Sequence, residues 1–188
     1  EMVNAFSEYA RAPDMDINRF SVSRLVHEVV DLYRSQESGI KIMLRVDDEL
    51  PDVEADMGRM RQILHNLIRN SIEALENDDD GQIEVGVTAA HYLGVEVIEI
   101  VVEDNGPGFN LGSLSQVFDP YVTTKPKGTG LGLAIVKKLV EEHAGVIEAE
   151  NREQGGAIIR IRLPVSETAR EAMIAMMPGR AEKRRERA

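Results

Sequence analysis

Apolar residues recur along the chain with two different spacings, which divide it into predicted helices and strands. Apolar positions three and four apart indicate helices, and strict alternation of apolar and polar positions indicates strands with one buried face. The predicted elements are, in order: a helical stripe through Val3, Phe6 and Tyr9–Ala10, a helix from Ser21 or Ser23 to about Gln36, a strand over 40–46, a helix from Met57 to about Glu76 capped by Asp56, strands over 83–87 and 95–103, a short helix around 114–118, a helix from Leu131 to His143, strands over 146–151 and 157–164, and a helix over 172–177 behind a capping-box spacing at 168–171.

The order of these elements favours an α+β fold. Most of the strands are neighbours in the chain, and such strands usually pair with one another. We therefore expect a two-layer α/β sandwich with a mixed, mostly antiparallel sheet and helices on one face. Residues 14–165 would form the main domain, preceded by the end of a longer helix (1–13) and followed by a C-terminal helix and basic tail (166–188).

Composition excludes several classes of protein. The 188 residues carry a formal net charge of −11 and include no cysteine, so a disulfide framework and a thiolate metal site are ruled out. No apolar run approaches the roughly 20 residues that a membrane-spanning helix needs. The acidic balance argues against a nucleic-acid groove and is compatible with a phosphate ligand held by a few well-placed groups.

Regular patterning fails between residues 104 and 132, apart from the short helix around 114–118, and a stretch of this length with so little structure of its own is more often functional than not. It begins at Asp104, directly after a strand, and Gly106 and Gly108 follow. A buried carboxylate only accepts hydrogen bonds and an adenine amine donates them, so the two are chemically matched. The alternative is a plain Asp-Asn-Gly turn.

The stretch ends in a second glycine cluster that leads into a helix. Gly128, Gly130 and Gly132 place successive backbone N–H groups at a helix N-terminus, which is a binding site for phosphates. Leu133 stands where the third glycine of a dinucleotide fingerprint would fall, so that fold is not indicated. A flexible turn before a helix is the simpler alternative.

Two further features suit the same ligand. Asn66 and Asn70 lie four residues apart, on one face of the predicted long helix, where amide oxygens can ligate Mg²⁺. The loop over 118–125 lies between the glycine clusters and would serve as a lid, with Lys125 supplying a positive charge to the terminal phosphate. Solvent-facing asparagines and an ordinary surface lysine are the alternatives.

Taken in order, these motifs resemble the ATP-binding catalytic domain of sensor histidine kinases, which has the Bergerat fold. The resemblance extends from about Phe20 to Val165. The match is strongest to the nitrogen-regulation type. Its phenylalanine and second glycine boxes are similar to residues 118–125 (FDPYVTTK) and 128–136 (GTGLGLAIV). Residues 3–11 (VNAFSEYAR) are similar to the end of the second helix of its dimerisation domain.

The resemblance implies ATP and Mg²⁺ as cofactors, with Asp104 on the adenine amine, Asn70 on the metal, and Asn66 and Lys125 as catalytic residues on the phosphate side. The residues expected to contact nucleotide are Asn66, Asp104, Gly106, Gly108, Phe118, Thr124, Lys125, Gly128, Thr129, Gly130, Leu131 and Gly132.

The resemblance also implies transfer of the ATP γ-phosphate to a histidine on an upstream dimerisation domain. The four histidines of this chain are expected to be structural or surface residues. The implied partners are that domain, in a homodimer, and a response regulator, with no nucleic acid and no direct membrane contact. The domain would be cytoplasmic, in a full-length protein that can be anchored in the inner membrane.

Two departures from the family pattern are visible. Glu73 stands where such kinases often carry lysine, and Ala157 stands where the strand after Gly155–Gly156 commonly begins with threonine.

Two alternatives stay open. A hydrolytic ATPase clamp of the same superfold places a water-activating Glu where this chain has Asn66. A non-catalytic interaction module would have lost nucleotide binding, against which the intact Asp104, Asn70 and glycines argue.

Overall fold

The fold consists of a five-stranded sheet packed against helices and a separate two-stranded ribbon. The computed structural model describes residues 14–35, 39–76, 78–110, 112, 114–123 and 128–177. Its elements are β1 (Ile17–Phe20), α1 (Val22–Arg34), β2 (Lys41–Val46), β3 (Val53–Asp56), α2 (Met57–Ala74), β4 (Gln82–Tyr92), β5 (Val95–Asp104), a single 3₁₀ turn (Leu114–Gln116), α3 (Gly132–Glu142), β6 (Val146–Asn151), β7 (Ala157–Pro164) and α4 (Glu167–Met176). The predicted stripe at residues 3–10, Thr124, Lys125 and the basic tail lie outside the described residues.

The strands of the large sheet run in the order β2-β4-β5-β7-β6. The β2–β4 pair is parallel, and the other three pairs are antiparallel. The β4–β5 hairpin sets Ile83 opposite Asp104, and the β5–β7 pair sets Val102 opposite Ile159. The expected α+β class, with a mixed and mostly antiparallel sheet, is confirmed.

Alternation along the central strands places one row of side chains in the core. The helices contribute their apolar stripes to the same core, so both layers share one cluster. Fully buried members of this cluster include Val85, Val87, Ile100, Ile161, Ile63, Leu64, Ile68 and Val136. Asp104 follows Ile100 and Val102 on the core-facing side of β5, and it is buried with them.

Side-chain caps begin three of the helices. Ser21 caps α1 by accepting a hydrogen bond from the Arg24 N–H (3.3 Å), and Asp56 caps α2 by accepting one from the Arg59 N–H (3.0 Å), as the sequence predicts. The predicted capping box at 168–171 is wrong, because α4 begins at Glu167 and its cap is Ser166.

The ribbon of β1 and β3 has no counterpart among the predicted strands. Its members pair antiparallel, with Ile17 opposite Asp56 and Phe20 opposite Val53. Each strand has four residues. In β1 only Phe20 is buried, and in β3 the alternation consists of Val53 and Ala55 alone, so neither strand is long enough to be recognised by itself. Within the described residues, no helix has the length and apolar character needed to cross a lipid bilayer.

Candidate functional site

Asp104, the last residue of β5, has a carboxylate that is fixed from three directions. Oδ1 accepts hydrogen bonds from the backbone N–H groups of Gly106 (3.0 Å) and Ala157 (3.2 Å), and Oδ2 accepts one from the Ser71 hydroxyl (3.0 Å). The residue is 5% exposed. Since an ionised carboxylate has about four lone-pair sites, this one can still accept a hydrogen bond from a ligand.

Glycines bring backbone up to that carboxylate. A Cβ on Gly106 would lie 3.2 Å from Asp104 Oδ1, and one on Gly108 (φ 74°) would lie 2.8 Å from Asn151 Oδ1. At Gly156 (φ 107°) a Cβ would overlap the carbonyl oxygen of Asp104. The close backbone packing around Asp104 and Asn151 therefore depends on three glycines, one more than the sequence motif indicates.

Helix α2 connects Asp104 with the second glycine cluster. Ser71, on the buried face of α2, contacts the Asp104 carboxylate. Five residues earlier, Asn66 donates from Nδ2 to the Gln62 carbonyl (3.0 Å), and its Oδ1 lies 3.9 Å from the position that a Cβ on Gly132 would take. Asn70 is half-buried and precedes Ser71 on the same helix. The structure thus brings Asn66 close to Gly132 and, five residues further along α2, Ser71 into contact with Asp104.

The second glycine cluster precedes α3 without a side-chain cap. Leu131 is the N-cap residue of α3, and its position supplies no capping hydrogen bond. The Leu131 N–H has a long hydrogen bond to Thr129 Oγ1 (3.4 Å), while Gly128 and Thr129 are exposed. The first N–H groups of a helix have no partners within the helix itself, so an uncapped N-terminus is suited to an anion.

The loop before this cluster returns to it through Tyr121. The Tyr121 N–H donates to the Gly130 carbonyl (3.0 Å), and a Cβ on Gly130 (φ 65°) would lie 2.6 Å from the Tyr121 carbonyl carbon. Phe118 is half-buried against the core, whereas the Tyr121 side chain is 64% exposed. The roles predicted for Thr124 and Lys125 stay predictions, since both lie outside the described residues.

Sequence reasoning missed four residues that shape the site: Ser71, Asn151, Gly156 and Ala157. Ser71 is a polar residue at a buried helix position, which is a weak signal on its own. Ala157, visible in the sequence only as a departure from the family's threonine, contributes only its backbone N–H, and Gly156 lies between the predicted strands over 146–151 and 157–164. Asn151 accepts from the Phe109 N–H (2.7 Å) and donates to the Phe109 carbonyl (2.8 Å), a contact 42 residues apart in the chain that no local pattern reveals.

The opposite end of α3 is anchored by a buried histidine. His143 Nδ1 donates to the Leu139 carbonyl (2.7 Å), and its Nε2 accepts from the Asp56 N–H (3.2 Å), which defines a neutral ring. Burial lowers the pKa of His143, and so do the nearby Arg170 and Arg59, while the Leu139 carbonyl and Asp56 raise it. The ring is 2% exposed and is engaged by these two bonds, in agreement with the structural role expected of it.

With this geometry described, comparison with known proteins identifies the family. Residues 55–167 match the family model described as histidine kinase-, DNA gyrase B-, and HSP90-like ATPase, and the matched region contains Asn66, Asn70, Asp104 and both glycine clusters. The chain belongs to this ATPase family. The family expected from the motifs is therefore confirmed.

Among relatives of this ATPase domain, a putative sensor histidine kinase NtrY-like protein of Rickettsia bellii is 33% identical over 166 residues. The alignment covers 88% of this chain and 27% of the relative, so the chain spans about a quarter of the length of that protein.

Solved structures agree with this family. The catalytic domain of histidine kinase ThkA is 32% identical, with a TM-score of 0.72, and the match covers 82% of this chain and 99% of that one. ThkA in complex with the response regulator protein TrrA gives a TM-score of 0.73 at 28% identity, covering 87% and 46%. Full-length ShkA in complex with AMPPNP gives 0.72 at 29% identity, covering 87% and 34%.

Proposed function

We propose that this chain is the ATP-binding catalytic domain of a two-component sensor histidine kinase, which transfers the γ-phosphate of ATP to a histidine on an upstream dimerisation domain. The observation that supports this most directly is the buried Asp104 carboxylate, which lies beside the closely packed Gly106. Helix α2, which carries Asn66 and Asn70, extends from this carboxylate to the N-terminus of α3, where no side chain caps the helix. The relatives described above, which are named as histidine kinases, add to this support.

In this proposal, Asp104 selects the base. Its Oδ1 is engaged by two backbone N–H groups and its Oδ2 by one hydroxyl, so the one remaining lone pair, on Oδ2, would accept from an adenine amine. Gly106 and Gly108 allow the backbone to approach the flat face of the base. A guanine presents a carbonyl oxygen where adenine has its amine, so it would meet the carboxylate with repulsion.

The phosphates would lie between α2 and the start of α3. The Asn66 Nδ2 is engaged by the Gln62 carbonyl, which leaves Oδ1 on the side of Gly132. Amide oxygens are suitable ligands for Mg²⁺, so Asn70, with Asn66 beside it, fits a cation that also binds phosphate oxygens. When bound, Mg²⁺ would neutralise charge on the transferring phosphate. The N–H groups over 128–132 would bind phosphate oxygens, and Thr124 and Lys125 would contact them from the loop.

We also propose the partners that the resemblance implies. They are a dimerisation domain that carries the phosphorylated histidine, in a homodimer, and a response regulator. The ThkA complex with TrrA is a precedent in a related protein. A domain that consumes ATP would be located in the cytoplasm.

Calorimetry with AMPPNP and Mg²⁺ tests nucleotide binding directly. We expect the chain to bind, and we expect Asn70→Ala to lose the Mg²⁺-dependent part of the affinity while binding in EDTA is unchanged. γ-Labelled ATP should label no residue of this chain alone. In a longer protein that joins it to a dimerisation domain, the label should appear on a histidine.

Two results would favour the alternatives. Rapid ATP hydrolysis by the chain alone would indicate the hydrolytic clamp, although Asn66 occupies the position of the water-activating glutamate. Absence of binding heat from a folded sample would indicate the interaction module.

A further inference from the structure

Residues 105–109, which we call the glycine loop, are anchored at their first residue by a side-chain amide. Asn105 Oδ1 accepts a hydrogen bond from the Gln82 N–H (2.7 Å), and Asn105 Nδ2 donates to the Asp80 carbonyl (3.0 Å). Gln82 is the first residue of β4. One end of the loop is thereby attached to the β4 side of β5.

The last residue of the loop, Phe109, is also anchored by a side-chain amide, which comes from β6 at the far end of the strand order. Asn151 ends β6 and uses both atoms of its amide on one residue, accepting from the Phe109 N–H (2.7 Å) and donating to the Phe109 carbonyl (2.8 Å). The strand order is β4-β5-β7-β6, so the two anchoring strands, β4 and β6, are not neighbours in the sheet. The loop therefore extends across the ends of the strands that lie between them.

The Asn151 amide also fits closely against the loop. A Cβ on Gly108 would lie 2.8 Å from Asn151 Oδ1 and 3.0 Å from the Gly156 carbonyl, so the loop cannot move closer to β6. The two Asn151 hydrogen bonds prevent it from moving away. The Gly106 N–H, inside the loop, donates to the Asp104 carboxylate, so the loop position determines one of that carboxylate's three partners.

We propose that Asn151 is a positioning residue that sets the distance between the glycine loop and the Asp104 carboxylate, and that it thereby sets base affinity and selectivity. The assignment rests on the function proposed above. Asparagine suits the task because its side chain carries a donor and an acceptor side by side and no charge. Aspartate has the same shape but, when ionised, cannot donate to the Phe109 carbonyl.

The test compares the full chain with Asn151→Ala and Asn151→Asp, and Asn18→Ala is the matched control. Asn18 is exposed, and among the described residues its amide donates only to Asp16. Affinities for AMPPNP and GMPPNP with Mg²⁺ are measured by calorimetry, and each variant is melted to show that it is folded at the temperature of titration. If Asn151→Ala does not fold, Asn151→Ser, which keeps a hydroxyl near Phe109, replaces it.

We expect both Asn151 variants to bind AMPPNP about tenfold more weakly. Asn151→Ala loses both hydrogen bonds, and Asn151→Asp loses the bond to the Phe109 carbonyl and places a carboxylate oxygen against that carbonyl oxygen. The ratio of AMPPNP to GMPPNP affinity should fall as well, and Asn18→Ala should match the unaltered chain. Unchanged affinity, or weaker affinity with an unchanged ratio, overturns the assignment, because loosening of the fold alone would not alter base preference. Failure of the unaltered chain to bind AMPPNP would instead refute the proposed function, and the assignment would fail with it.

Discussion

The two ends of the candidate site are built differently. At the base end, defined by Asp104 and the glycine loop, hydrogen bonds come from α2, β7 and the loop itself, and two asparagine amides anchor the loop. At the phosphate end, defined by residues 128–132, the contacts among the described residues include the Tyr121–Gly130 backbone bond, the long bond between Leu131 and Thr129, and the first-turn bond from the Ile135 N–H to the Leu131 carbonyl. The base end is therefore preorganised, whereas the phosphate end offers N–H groups to a ligand.

Solvation explains the difference. A carboxylate that is 5% exposed must have its hydrogen bonds supplied by the protein, because burying it without partners costs several kcal/mol. The exposed backbone of Gly128 and Thr129 can bond to water until a phosphate replaces it. Base-end substitutions that remove a hydrogen-bond partner or fill the space left by a glycine should thus affect both fold and binding, and those at the phosphate end mainly binding.

The largest effect is expected from Gly156→Ala, at the base end. The added Cβ would overlap the Asp104 carbonyl, which is backbone and cannot move cheaply. The free energy of unfolding should fall by about 4 kcal/mol or more, with loss of nucleotide binding.

Gly155→Ala is the matched control, because its φ of 92° is also positive but a Cβ there meets nothing within 4 Å. It should cost only about 1–2 kcal/mol, the backbone strain of a positive φ. Denaturant titration measures both variants, and equal losses would contradict the expectation.

Asp104→Asn should separate binding from folding at the same end. The remaining oxygen can accept from Gly106 and Ala157, and the Ser71 hydroxyl can turn to accept from the new NH₂ group. That NH₂ meets an adenine amine donor to donor, so AMPPNP affinity should fall about a hundredfold with little change in stability. Asp47→Asn, at an exposed position, is the control for calorimetry. Binding that survives Asp104→Asn would remove this residue from the base site.

Gly130→Ala tests the phosphate end. Its Cβ would lie 2.6 Å from the Tyr121 carbonyl carbon, so the contact between the two segments should open. We expect AMPPNP affinity to fall about tenfold, while the free energy of unfolding falls by only about 1–2 kcal/mol. Gly94→Ala has a similar φ of 79° and no atom within 4 Å, and it should leave affinity intact. A stability loss as large as that of Gly156→Ala would show the two ends to be built alike.

The smallest effect is a pH dependence that arises at the far end of α3. Burial lowers the pKa of His143, so between the ordinary histidine pKa, about 6.5, and the lowered value the unfolded chain binds more protons than the folded one. Stability should therefore fall as the pH drops below about 6.5. Burial lowers the pKa of His65 in the same direction. His143→Gln should thus weaken the slope in denaturant titrations without removing it. An unaltered slope in His143→Gln would contradict this role.

The long helices and the hairpin strands could be predicted because their signals are local. The apolar stripe of α2 and the Asp56 cap lie within one stretch of sequence, and so does the alternation in β4. The ribbon of β1 and β3 could not, because its strands are short and stabilise one another across the intervening residues 21–52.

The residues of the candidate site also fall into those that the sequence makes recognisable and those that only the fold reveals. Asp104, the glycines of both clusters and the asparagines of α2 are recognisable by residue type and spacing, because the chemistry of a carboxylate, an amide or a glycine does not depend on the fold. Tertiary structure alone decided that Ser71 and Ala157 donate to Asp104, that Gly156 lies against its carbonyl, and that Asn151 binds Phe109. Hydrogen bonds and close backbone contacts require atoms within about 3 Å of each other. Only packing of the sheet brings residues from β6, β7 and α2 to that distance.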